Sequence, residues 1–86
     1  MAEVTIRYWA AAREAAGVAE ETVPARTLAA AIAAALARRA DDARLRAVFA
    51  RSSFLVDGSS VGSRGAEEVA LPDAAVIEVL PPFAGG

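Results

Sequence analysis

Apolar and polar positions alternate from the start of the chain. Val4, Ile6 and Tyr8 fall on one side, and Thr5, Arg7 and Trp9 on the other. That period of two predicts a strand with one face in a core. Trp9, the only tryptophan, is expected to pack at the strand exit. Ala10 to Ala16 then run into Gly17. Alanine has the best helix propensity and glycine accepts a left-handed stop, so a short helix is predicted. Arg13 and Glu14 are read as its solvated face. Glu20 to Pro24 read as a short second strand, closed by proline, with two glutamates suggesting an exposed edge.

The pattern next shifts to a helical period. Thr27 is the predicted N-cap of a main helix from Leu28 to about Arg39. Leu28, Ile32 and Leu36 recur every four residues and predict its apolar stripe. Arg38 and Arg39 would sit in the last turn, where positive charge suits the helix dipole. Asp41-Asp42 interrupts. Ala43 to Ala50 predict another turn or two of helix with Leu45, Val48 and Phe49 inward, and Arg44, Arg46 and Arg51 solvated.

Ser53 to Val56 read as a third strand. Asp57-Gly58 is a strong hairpin signal, so Ser59 to Val61 should return as a fourth. A loop over 62–65, a turn within 67–71 and another at Pro72-Asp73 lead to the last strand, Ala74 to Leu80. One main helix against four or five strands predicts a two-layer α+β domain with a mixed sheet.

Composition narrows what such a domain can do. At 86 residues it is one small domain. With neither cysteine nor histidine, disulfides, zinc-thiolate sites, cysteine nucleophiles and histidine bases are all excluded. No metal site is expected. Asp41-Asp42 and Glu67-Glu68 are neighbours whose side chains diverge on a helix or strand, so neither makes an acid–base pair. Gly62-Ser63-Arg64-Gly65 lacks the lysine and the following helix of a phosphate loop. A net charge of −2, with no aromatics interleaved among the arginines, argues against nucleic acid. All nine basic residues are arginine, so no side chain can carry an isopeptide bond. No signal peptide or membrane-spanning run is read, and a cytoplasmic location is expected. Catalysis by this chain alone is not expected.

The chain ends Leu80-Pro81-Pro82-Phe83-Ala84-Gly85-Gly86. The two prolines cannot donate ladder hydrogen bonds and each fixes φ, so they stop the last strand. The four residues beyond them span at most about 14 Å. A diglycine without Cβ atoms can enter a channel too narrow for other residues. The expected division is therefore a domain over 1–82 and a flexible tail over 83–86, which presents the Gly86 carboxylate to another protein.

Tyr8-Trp9-Ala10-Ala11-Ala12-Arg13-Glu14-Ala15-Ala16-Gly17, the alanine/leucine helix, Phe54-Leu55-Val56-Asp57-Gly58 and the terminal Pro81-Pro82-Phe83-Ala84-Gly85-Gly86 together resemble the MoaD/ThiS family of ubiquitin-like sulfur carriers. The similarity spans the chain and is greatest to the MoaD branch, the small subunit of molybdopterin synthase. It implies a β-grasp fold and a role for the tail. Gly86 would be adenylated with ATP and magnesium by a MoeB-like, ubiquitin-activating-type enzyme. A sulfur donor would then convert it to a thiocarboxylate. A MoaE-like large synthase subunit would take that sulfur to cyclic pyranopterin monophosphate. The resemblance further implies that Gly85 threads a narrow passage and that Pro81 and Pro82 project the tail. Ala84 and Phe83 would contact the partner, with Leu80 at the docked base. No cofactor is expected on this chain itself. Carriers for thiamine, cysteine or thio-tRNA synthesis, protein modifiers and non-covalent adaptors remain alternatives. Where the family commonly has Gly-Asp before the last strand, this chain has Pro72-Asp73-Ala74-Ala75. The turn there is expected to use φ values allowed to alanine, which leaves its type open but not the fold.

Overall fold

The structure, a computed structural model, describes residues 3–82. In order they form β1 (Glu3–Tyr8), α1 (Ala10–Ala16), β2 (Glu20–Pro24), α2 (Leu28–Ala37), α3 (Ala43–Arg51), β3 (Ser53–Val56), β4 (Ser59–Ser60), a 3-10 turn (Ala66–Glu68) and β5 (Val76–Leu80). The strands make one sheet in the order β2-β1-β5-β3-β4. β1 and β5 run parallel, and the other neighbouring pairs are antiparallel.

The alternation in the sequence sets the faces. Val4, Ile6 and Tyr8 of β1, Val23 of β2, and Ile77 and Val79 of β5 point to one side and are almost wholly buried. The helices cover that side. Leu45, Val48 and Phe49 of α3 face inward as expected and join the same core as Leu28 of α2. Each large apolar side chain so buried contributes about 1.5–3 kcal/mol.

The stripe on α2 differs from the expected one. Leu28 and Leu36 are buried as expected. Between them, however, Ala31 and Ala35 are fully buried, whereas Ile32 is only partly covered. Small methyl groups let the helix axis approach closely, so the helix presents its 28-31-35 row. Thr27 caps it as expected, its Oγ1 accepting from the Ala30 N–H at 3.1 Å. The helix ends at Ala37, before the two arginines, with Arg38 as its C-cap. Asp42 caps α3 through a 2.9 Å bond from the Leu45 N–H.

Two turns carry the chain back to the sheet. Asp57 and Gly58 both have positive φ, 50° and 84°, as a tight hairpin demands. The turn over Pro72–Ala75 is closed by a 3.2 Å bond from the Ala75 N–H to the Pro72 carbonyl. There Ala74 sits at φ +65°, in the small left-handed region that glycine ordinarily supplies. A turn of this kind needs a left-handed third residue, and tertiary bonds hold alanine in that role.

Candidate functional site

β5 is the central strand and the one that runs into Pro81-Pro82, so its register decides where the described chain ends on the sheet. At its start it is tied from both sides. The Asp57 carboxylate accepts from the Val76 N–H at 2.9 Å, and the Asp57 N–H donates to the Val76 carbonyl at 2.8 Å. The Thr5 N–H donates to the Ala75 carbonyl at 2.9 Å, and the Ala74 N–H to the Glu3 carbonyl at 2.9 Å. From there Ile77 and Val79 are buried between β1 and β3. At its end Leu80 lies opposite Ser53, and the Val79 carbonyl accepts from the Trp9 N–H at 3.3 Å.

The ladder stops at Leu80. Pro81 is part-buried, Pro82 is exposed, and neither is in a strand. Missing N–H groups explain the stop. Phe83, Ala84, Gly85 and Gly86, the other expected site residues, lie outside the described residues.

The expected packing of Trp9 does not occur. Its side chain is 48% exposed. Its backbone continues the extended path of β1, so its side chain follows Thr5 and Arg7 onto the face of the sheet away from the helices. Its indole Nε1 donates to the Glu78 carboxylate at 3.2 Å. Because β1 and β5 are parallel, Trp9 stands beside the last residues of β5. Around Glu78 on this open face lie the part-buried side chains of Val76, Leu80 and Leu55. The signal for Trp9 is present in the sequence: it shares parity with the polar positions of β1. Glu78 carries no signal beyond being the one charge in an apolar strand.

Behind the site, a polar network ties β1, β2 and α2 together. Tyr8 donates its hydroxyl to Glu21, which also pairs with Arg39 at 2.9 Å and Arg38 at 3.1 Å. Arg39 further donates to the carbonyls of Ala16 at 2.9 Å and Ala35 at 2.7 Å. β2 is the sheet edge that was expected, but of its two glutamates only Glu20 is exposed; the Glu21 side chain is turned under and 10% exposed. Burial pushes the Glu21 carboxyl up, but hydrogen bonds from Tyr8, Arg39 and Arg38 and the charge of Arg39 outweigh it and hold it below the usual carboxylate range. Burial, then the bond to Glu21 and its charge, push the Tyr8 phenol well above its ordinary value. The network is structural: it fixes Tyr8 in the core directly opposite Val79.

Elsewhere, Arg44 and Arg46 are exposed and pair with Glu14 at 3.5 Å and Asp41 at 3.3 Å. Such pairs contribute about 0–1 kcal/mol. Among the described residues no group of three or more His, Cys, Asp or Glu side chains converges. No helix among them is long and apolar enough to cross a membrane.

The profile of the ThiS family matches residues 6–86. The chain belongs to the ThiS family. Compared with curated protein sequences, it has no match. Among solved structures it resembles small archaeal modifier protein 1 from Methanosarcina acetivorans, with TM-score 0.82, 24% identity and coverage of 100% of this chain and 98% of that one. It also resembles a putative molybdopterin converting factor subunit 1 from Pyrococcus furiosus, with TM-score 0.75, 24% identity and coverage of 96% and 100%. A third is the complex of subunits 1 and 2 of molybdopterin-converting factor from Helicobacter pylori, with TM-score 0.66, 19% identity and coverage of 98% and 99%. These likenesses establish the fold, a β-grasp with a five-stranded mixed sheet.

Proposed function

We propose that this ThiS-family chain carries sulfur on the carboxyl of Gly86 and delivers it for dithiolene formation in molybdopterin. The observation that supports this most is the central strand β5. It is pinned at its start and stopped by Pro81-Pro82, so that the Phe83-Ala84-Gly85-Gly86 segment follows from a fixed point on the sheet.

The chemistry follows from the group presented. A carboxylate is a poor acyl donor because it would have to expel oxide. Attack by a Gly86 oxygen on the α-phosphorus of ATP, with magnesium on the phosphates, releases pyrophosphate and gives an acyl-adenylate. Sulfide-level sulfur from a donor then attacks the acyl carbon and AMP leaves, forming a thiocarboxylate. Its sulfur is a nucleophile near neutral pH. A MoeB-like enzyme supplies the activation, and a MoaE-like subunit supplies the pocket where cyclic pyranopterin monophosphate takes the sulfur. In this scheme Gly86 bears the sulfur and Gly85 fills the narrow passage. Pro81 and Pro82 project the tail, while Phe83 and Ala84 contact the walls.

The test is intact mass after incubation with ATP, magnesium, an adenylating enzyme of this type and sulfide. The expected gain equals replacement of one oxygen by sulfur and disappears when Gly86 is deleted. No gain, with the same enzyme active on a control carrier, overturns the reading. The acceptor is assigned by adding a large synthase subunit and the pyranopterin, and in parallel the acceptors of thiamine, cysteine and thio-tRNA synthesis. Product only in one of those parallel reactions transfers the function there. Covalent conjugates to protein lysines on blots, without small-molecule product, would make the chain a modifier.

A further inference from the structure

On the sheet face away from the helices, β5 carries one carboxylate, flanked along its own strand and on β3 by part-buried apolar side chains. Glu78 is part-buried at the middle of β5, with Val76 and Leu80 on its own strand, Leu55 opposite on β3 and Pro81 just beyond. Trp9 and Val18 are the exposed large hydrophobic residues of the described chain. Both lie at this end of the sheet, since the Ala19 carbonyl beside Val18 accepts from the Tyr8 N–H. The cation nearest to Glu78 in register is Arg7 on β1, and its Nε is turned to Glu20 at 3.5 Å. Among the described residues, Glu78 has the neutral Trp9 indole as its side-chain partner, at 3.2 Å.

We propose that Glu78 selects the partner by charge: the adenylating enzyme that acts on Gly86 seats an arginine or lysine on it. This rests on the carrier reading above and names the chemistry of its first partner. Any enzyme that receives the tail must cover its base, because the chain runs without a break from Glu78 through Leu80 to Pro81-Pro82. Covering the base desolvates the apolar side chains, and it also strips water from Glu78. A carboxylate buried without a counter-charge is costly, whereas one met by a guanidinium gains a charge-assisted bond. An apolar partner face, or one with an acid at this point, is therefore rejected, while a cationic one is favoured. Trp9 holds the carboxylate in place until the cation arrives.

The test uses a purified adenylating enzyme of the ubiquitin-activating type with the full chain, and reads AMP formation as kcat and KM at several salt concentrations. Glu78→Gln keeps an oxygen to accept from Trp9, so an unchanged melting temperature and Trp9 fluorescence in the free variant will show the fold intact. Its KM should rise about tenfold or more, the size of one lost charged contact, with a weaker salt dependence and little change in kcat. Glu78→Arg should raise KM about a hundredfold or more and be partly rescued by an enzyme variant whose facing cation is replaced by glutamate. Wild-type KM and salt dependence in Glu78→Gln overturn the proposal while leaving the carrier reading intact. Failure of such enzymes to adenylate the wild-type chain, with a control carrier accepted, overturns the carrier reading and this one with it.

Discussion

Replacing Ala74 by glycine is expected to stabilise the domain, although glycine usually does the opposite. Ala74 is exposed, so its methyl group contributes no burial. It is held at φ +65° by the bond from its N–H to the Glu3 carbonyl and by the turn closure from Ala75 to Pro72. A left-handed conformation costs a residue with a Cβ roughly 1–2 kcal/mol. Glycine removes that strain but loses about 0.4–1 kcal/mol through its freer unfolded chain. The difference favours Ala74→Gly by about 0.5–1 kcal/mol. For a domain of this size that is roughly 2–8 °C in melting temperature. Urea unfolding followed by circular dichroism measures it directly, with an unchanged m-value showing that the unfolded state keeps its compactness. Ala74→Val should destabilise, because a β-branched residue fits this region worse. A lower midpoint for Ala74→Gly, or equal midpoints for glycine and valine, would refute the reasoning.

The Glu21 network should make the domain acid-sensitive. A carboxyl depressed in the folded state contributes stability above its unfolded value of about 4.3, and that contribution is lost as pH falls through the lower folded value. Glu21→Gln should cost about 1.5–3 kcal/mol near neutral pH and progressively less in acid below the unfolded value, read from urea midpoints across that range. Tyr8 acts in the other direction: its raised folded value gives stability that is intact below about pH 10 and lost as pH rises beyond it, and a Tyr8→Phe variant should show a flatter alkaline unfolding profile. Leu45→Ala, at a side chain with no exposure, should cost about 2–5 kcal/mol in the same assay. Asp42→Ala should cost about 1 kcal/mol through loss of the α3 cap, and Asp42→Asn much less.

Much of this fold could be read from local pattern. Alternation at Val4, Ile6 and Tyr8, the Gly17 stop, the Thr27 cap, the inward Leu45-Val48-Phe49 set and the Asp57-Gly58 hairpin each depend on a few adjacent residues, and each is where the sequence indicated. Burial by alanine was harder to read. Ala31 and Ala35 differ from the exposed alanines of α2 only in which neighbours approach them, so the stripe Leu28-Ile32-Leu36 was right at its two ends and missed the buried alanines beside the partly covered Ile32. Of the candidate site, read as the run Pro81 to Gly86, the structure describes Pro81 and Pro82 and shows that the last strand ends just before them at Leu80.

By itself, then, the sequence determined the order of elements and the faces of the strands. Those properties follow from residue type and short-range spacing. Only the tertiary structure decided that β5 lies beside β1, that Trp9 thereby meets Glu78, that Glu21 turns beneath the edge strand, and that Ala74 takes a glycine's conformation. Each of these depends on which distant segments pack together, and the local preferences of Trp9, Glu21 and Ala74 are too weak, at about 1 kcal/mol, to resist that packing.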